Sequence, residues 1–228
     1  AYSLRAGLSF VKIDMESIIK SVSIWIIVLG WCFFFGMEVI GIIDAGRRLP
    51  ERFATSGLMV SEILKLFPMI GLIVVLFYGS EIFWRSQGAR FDALENSSPV
   101  PKMAVVLSKW LTLTFVPILL LLCSCLVGIG FQLAFGTEAI DLGLYLSLYY
   151  LIGLPLSLCA ALVISIHTLC KNRYIGLMVS SVVLLLTNTS FGGLIGLKHP
   201  LLQYANAFKG NYSCLLYTSD AADEGLGV

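Results

Sequence analysis

The chain has 228 residues, 58% of them hydrophobic and 13% charged, with a formal net charge of +1. Soluble domains carry roughly 25% charged residues, so too little polar surface remains here to coat a water-soluble body of this size. A balance so close to neutrality also argues against a nucleic-acid partner, because it supplies no basic field to attract phosphates.

A mean hydropathy of +0.91 is concentrated in five long apolar stretches, with the charges almost entirely between them. A hydrocarbon core about 30 Å thick is crossed by roughly 20 apolar residues in a helix. The sequence therefore predicts an all-α, polytopic transmembrane helical bundle with spans at 22–43, 63–83, 110–135, 142–168 and 174–197.

The leading segment, 1–21, is expected to contain a short amphipathic approach helix over 7–21. Phe10, Val11, Met15, Ile18 and Ile19 share one face, opposed by Lys12, Asp14, Glu16 and Lys20. Such a helix lies in the membrane interface, although an ordinary lead-in fits the same residues. Span one carries Glu38 near its far end. Span two opens with Glu62 and Lys65, which helical spacing lets pair, and closes with Glu81. Trp84 fits an interfacial aromatic belt, and Arg85 has the reach to meet headgroups.

The connection 84–109 is the most informative stretch. Arg90-Phe-Asp-Ala-Leu-Glu95 reads as a short helix along the membrane face, with Phe91 and Leu94 on one side of it. Pro99 and Pro101 lack amide protons and end that helix, and Ser108-Lys109-Trp110 returns the chain to the bilayer. A plain loop satisfies the composition; a rigid, partly apolar element between two spans would also pass force from a soluble partner.

Pro117 and Pro155 are expected to kink spans three and four, where neighbouring helices tolerate the break. Asn188, Thr189 and Ser190 lie deep in span five and should face other helices, while Gly192, Gly193 and Gly196 loosen its end. Cys32, Cys123, Cys125 and Cys159 fall within spans and read as small apolar filler. There is no C-x-x-C pair, no phosphate-binding G-x-x-x-x-G-K-[ST] loop and no H-E-x-x-H zinc motif. His167 and His199 are isolated and read as interfacial polar residues. With no convergent acid, base or nucleophile, the chain is expected to be neither an enzyme nor the holder of a cofactor.

Lysine and arginine place the loops on two sides. Arg5, Lys12, Lys20, Arg85, Arg90, Lys102, Lys109, Lys171 and Arg173 make nine on one side; Arg47, Arg48, Arg52, Lys65, Lys198 and Lys209 make six on the other. The positive-inside rule puts the richer side, and the N-terminus with it, in the cytoplasm.

Residues 214–228 stand apart. Cys214-Leu-Leu-Tyr-Thr-Ser219-Asp-Ala-Ala-Asp-Glu224 resembles the codon-by-codon translation of a transposase-based sequencing adapter, so this tail is expected to be no part of the natural fold. The natural chain is then expected to continue past Ser213, and the absence of Met at position 1 suits a chain that begins inside a longer protein.

Glu81 with Trp84-Arg85, then Pro99-Val-Pro101 and Ser108-Lys109, resembles an ABC-2-type exporter permease. The likeness is nearest to bacterial proteins in which such a permease half precedes an M1-class zinc aminopeptidase. Ser17-Ile-Ile-Lys-Ser21, Gln132-Leu133, Gly143-Leu-Tyr-Leu146, Asn172-Arg-Tyr-Ile-Gly176, His199-Pro-Leu-Leu-Gln-Tyr204-Ala-Asn206 and Tyr212-Ser213 match in order. The chain departs from the family at Ser86-Gln87, where Glu-Arg is usual.

The resemblance implies a permease domain over 22–213 that holds five of six spans, with a peptidase domain beyond it. It implies a separate ABC ATPase subunit as partner, together with a second permease half or a second copy of the chain, in the lipid bilayer of the bacterial inner membrane. It makes residues 85–98 the ATPase-coupling element, through Arg85, Arg90, Phe91, Asp92, Leu94 and Glu95. Glu81, Trp84, Pro99, Pro101 and Lys109 frame that element, and 7–21 becomes the interfacial connecting helix. The alternative is a membrane anchor for the peptidase that transports nothing.

Overall fold

The computed structural model describes residues 2–48, 55–88, 102–135, 140–170 and 172–188. These residues are helical almost throughout, with no strand among them. The helices are α1 (Tyr2–Ile19), α2 (Val22–Arg48), α3 (Ser56–Gly88), α4 (Lys102–Phe135), α5 (Leu142–Leu148), α6 (Leu154–Leu169) and α7 (Arg173–Asn188); a π-helical segment, Tyr149–Gly153, joins α5 to α6. Among the described residues, four stretches are long and apolar enough to cross a membrane: Val22–Ile43, Ser56–Arg85, Met103–Phe135 and Leu142–Leu169. The protein is an all-α, multi-pass membrane protein. Helices are the expected solution, since backbone amides in lipid must find their partners within the same segment.

Side-chain contacts fix the directions of the helices. Ser56 at the start of α3 meets Gln132 near the end of α4, and Gly79 near the end of α3 lies beside Leu113 early in α4. These two helices are therefore antiparallel. Trp31 Nε1 donates to Ser124 Oγ at 2.7 Å and Gly36 lies beside Phe131, so α2 runs parallel to α4. Gly71 meets Leu156 and Gly79 meets Val163, so the α5–α6 span runs parallel to α3. Asn188 reaches back to Cys159, which makes α7 antiparallel to α6.

α3 lies at the centre, packed against α4, α5, α6 and α7. Phe35, Phe67, Tyr78, Leu113, Val116, Leu120 and Val163 are buried around it. On the outside, Trp25, Ile26, Leu29, Phe33, Met37 and Ile40 recur at helical spacing along α2 and are exposed. This is the pattern of a helix with one face on its neighbours and the other on lipid.

Several boundaries differ from the sequence reading. Span two starts at Ser56, not 63, because Thr55 Oγ1 accepts the Leu58 amide and caps the helix. Span three begins at Met103, not 110, within a helix that starts at Lys102, since helical hydrogen bonding continues past the point where the strongest apolar character ends. α1 begins at Tyr2 and packs on α4. Ile18 is buried there while Ile19 is exposed, as the turn of about 100° between consecutive helical residues requires.

The helix continues through Pro68 and Pro117, whereas Pro155 stands in the first turn of α6, directly after the π-helical segment. The π-helical segment contains Leu151, whose carbonyl would meet the amide of residue 155 in an α-helix, an amide that proline lacks. The Glu62–Lys65 pair forms at 3.4 Å, and Asn188 faces its neighbours as expected. Thr189, Ser190 and the rest of the expected fifth span lie outside the described residues.

The end of the bundle away from α1 is locked by a buried polar network. Gln132 Nε2 donates to Ser56 Oγ at 2.8 Å, Tyr145 Oη donates to Gln132 Oε1 at 3.2 Å, and Ser56 Oγ accepts the Asp141 amide at 3.1 Å. Asp141 in turn caps α5 by accepting the Gly143 amide at 2.9 Å.

Candidate functional site

The opposite end, where α3 and α6 finish and α4 and α7 begin, gathers the chemistry. Ser80, Phe83 and Trp84 lie at i, i+3 and i+4 near the end of α3 and so share a face. α4 brings Lys109 to this face, α6 brings His167, and α7 brings Arg173 and Gly176.

Arg173 Nε donates to Ser80 Oγ at 3.3 Å, joining α7 to α3. Lys109 Nζ stands 5.2 Å from the centre of the Phe83 ring, within range of a cation–π attraction. Lys109 is only 8% exposed, an unusual position for an ammonium and one that such a contact favours. Phe83 also meets Trp84 edge-on at 5.6 Å and His167 at 5.9 Å.

His167 is fully buried, at 0% exposure. The sequence reading placed it at an interface; instead the α6–α7 turn folds Gly176 onto it. A Cβ at Gly176 would lie 3.1 Å from His167 Cδ2 and 3.3 Å from Nε2, so a side chain there would crowd the imidazole. Nδ1 lies 2.9 Å from the Val163 carbonyl. A carbonyl only accepts, so Nδ1 carries the proton. Among the described residues, His167 Nε2 and Trp84 Nε1 are buried without a hydrogen-bond partner.

α1 and α2 close the side of this region. Arg85 donates to Ser17 Oγ on α1, an acceptor that the packing of α1 on the bundle brings within its reach. Trp25 Nε1 donates to the Ile19 carbonyl at 2.9 Å and pins the elbow between α1 and α2. A chain of hydroxyls runs from Ser21 to Ser23 at 3.1 Å and on to Tyr78 at 3.2 Å.

Of the residues singled out from sequence, Trp84 and Lys109 meet through Phe83, and Arg85 turns to α1. Glu81 is half-buried with no hydrogen bond or ion pair among the described residues. Arg90, Phe91, Asp92, Leu94, Glu95, Pro99 and Pro101 lie outside the described residues. Sequence reasoning missed Ser17, Ser80, Phe83, Arg173 and Gly176 as members of the cluster. One signal was available, a small polar residue one helical turn before Trp84. The cluster holds two cations and an indole donor but no nucleophile paired with a base. Among the described residues no three metal-ligating side chains converge. Among the described residues it is a junction between four helices that gathers two cationic side chains and an indole donor. Compared with known protein families, with curated proteins and with solved structures, the chain matches none.

Proposed function

We propose that this chain is the membrane-spanning half of an ABC-2-type exporter, in which ATP hydrolysis on a separate ATPase subunit drives substrate across the bilayer. In this reading it sits in a bacterial inner membrane with its N-terminus in the cytoplasm and works with a second permease half or a second copy. The observation that carries the proposal is the convergence of α1, α3, α4, α6 and α7 at one end of the bundle. The connection between α3 and α4 leaves from that same end.

A load applied to that connection would reach Phe83 and Trp84 at the end of α3 and Lys109 near the start of α4. It would pass from there to α6 through His167 and to α7 through Arg173. A helix tied only by its own loop would carry such a load to no neighbour. The ordered likeness from Glu81 to Tyr212-Ser213 supplies the identity of the partner, by analogy of pattern.

The test is co-purification of the natural protein with the ATPase subunit encoded beside it. The reading expects that scrambling residues 85–98 abolishes ATPase association and ATP-dependent transport while the helices still assemble. Association and transport that survive the scramble would refute the coupling assignment. Peptidase activity that persists after all spans are replaced by one unrelated helix would favour the anchor reading.

A further inference from the structure

On α3, positions 57, 61, 65, 69, 73 and 77 are all exposed, so they form one inclined ridge at four-residue spacing. The half of that ridge nearer the α1 end suits lipid: Met69, Ile73 and Phe77. The other half does not. The Lys65 side chain is 71% exposed and pairs at 3.4 Å with Glu62, which is 19% exposed. The packing fixes the depth of this pair. Phe67 meets Trp31 edge-on at 5.8 Å, and Trp31 is the tenth of the 22 residues in the apolar span Val22–Ile43. Lys65, two residues before Phe67, therefore lies level with the middle of that span. Ionisable side chains at such a depth face protein or a water-filled cavity, because lipid solvates them poorly.

The pair is also complementary to itself. One acid and one base stand three residues apart on the same ridge, so a two-fold axis along the membrane normal brings each against its opposite. Such an axis sets like positions of two copies at equal depth. Lys65 of one copy then lies about 4.5 Å along the helix axis from the level of the partner's Glu62, within reach of its long stem. We propose that a second copy of this chain docks on the α3 ridge, with Lys65 and Glu62 of each copy exchanging partners across the two-fold. The neighbouring positions leave room for it. A Cβ at Gly57 would meet nothing within 4 Å, and Ser61 turns its hydroxyl back onto the Leu58 carbonyl at 2.8 Å; small residues of this kind let helices approach closely in a membrane. The inference rests on the second-copy part of the proposed function, and it is independent of the coupling assignment at 85–98.

The test co-expresses two differently tagged full-length chains without an ATPase and purifies one through the tag of the other in a mild detergent. Wild-type copies should pair. Lys65→Glu places only carboxylates at the contact and Glu62→Lys only ammonium groups, so each variant alone should associate at least about tenfold less, because like charges set against each other across an interface repel strongly. The Lys65→Glu chain mixed with the Glu62→Lys chain should pair again, since an acidic ridge then meets a basic one. The pair within each chain stays broken in that mixture, so recovery reads contact between copies and not repair of the fold. Lys20→Gln removes a cation away from the ridge and should change nothing. Wild-type copies that do not pair, charge reversals that pair as well as wild type, or a mixture that pairs no better than either variant alone would overturn the proposal. If a reversal does not fold, Lys65→Met, a side chain that lipid accepts, decides: pairing must fall while the fold persists, and undiminished pairing would equally refute the assignment.

Discussion

Replacing Gly79 by alanine tests the central seam of the bundle, where α3 meets α6 and α4. The added Cβ would lie 2.6 Å from Val163 Cγ1 and 3.2 Å from Leu113 Cδ2. Carbon atoms pack favourably at about 3.5–4.0 Å, so α6 must yield by roughly 1 Å. Val163 is fully buried, and a β-branched side chain in a helix has essentially one χ1 well. It cannot swing aside, and the two helices must separate instead. Overpacking of this kind costs about 1–3 kcal/mol, while the better helix propensity of alanine returns up to about 1 kcal/mol. The net expectation is a loss of about 1–2 kcal/mol.

Gly71→Ala is the internal control. Its Cβ meets Leu156 Cδ1 at the same 2.6 Å, but the obstacle is the tip of a leucine, which another rotamer can withdraw. The backbone change and the overlap are matched, so the difference between the variants isolates the stiffness of the neighbour. Thermal unfolding in a single detergent should show Gly79→Ala falling by several degrees, at about 2–4 °C per kcal/mol for a chain of this size, and Gly71→Ala falling less. Adding Val163→Ala should recover stability only in the Gly79 background, with a coupling energy of about 0.5–3 kcal/mol. A Gly79→Ala protein as stable as wild type, with no coupling to Val163→Ala, would show that α3 and α6 do not meet in this register.

Gln132→Leu should cost about 2–3 kcal/mol, because Tyr145 and Ser56 both lose their buried partner; Tyr145→Phe, which removes one member and strands no donor, should cost about 1 kcal/mol by the same thermal assay. Trp31→Phe should lose about 1 kcal/mol with the bond to Ser124, and Ser124→Ala added to it should cost little more. Ser17→Ala should leave the unfolding free energy within about 1 kcal/mol of wild type, because its bond to Arg85 is exposed, while hydrogen exchange across α1 rises.

The spans were legible because bilayer thickness writes itself into sequence as run length. Val22–Ile43 in the structure coincides with the sequence reading to the residue. Span two was cut short because its first turns, around Glu62 and Lys65, are helical without being uniformly apolar. The π-helical segment left no mark beyond Pro155, since one widened turn changes neither hydropathy nor length. The junction was half legible: Trp84 and Lys109 announce themselves as an aromatic and a cation at span ends. Arg173 and Gly176 act only through a turn that folds α7 back onto α6. His167 was misjudged for the same reason, because a histidine at the end of an apolar run looks interfacial until a second helix covers it.

The two ends of the bundle differ in how firmly they are held. At the end away from α1, the Ser56, Gln132 and Tyr145 side chains satisfy one another and tie α3, α4 and α5 into one unit. Rearranging that end would expose buried polar groups, each costing about 1–3 kcal/mol. At the α1 end, Trp84 Nε1 and His167 Nε2 already stand unpaired among the described residues, and the links to Ser17, Ser80 and Phe83 run through long, adjustable arginine and lysine side chains. Movement there gives up little and can gain a hydrogen bond. Motion in this bundle should therefore pivot about the Gln132 network and open at the junction, so the amplitude at Lys109 and Arg173 should exceed that at Tyr145. Paired spin labels, on α4 and α6 near Lys109 and on α4 and α5 near Gln132, would read the difference directly: broad distance distributions near Lys109 and narrow ones near Gln132, with the reverse order refuting the pivot.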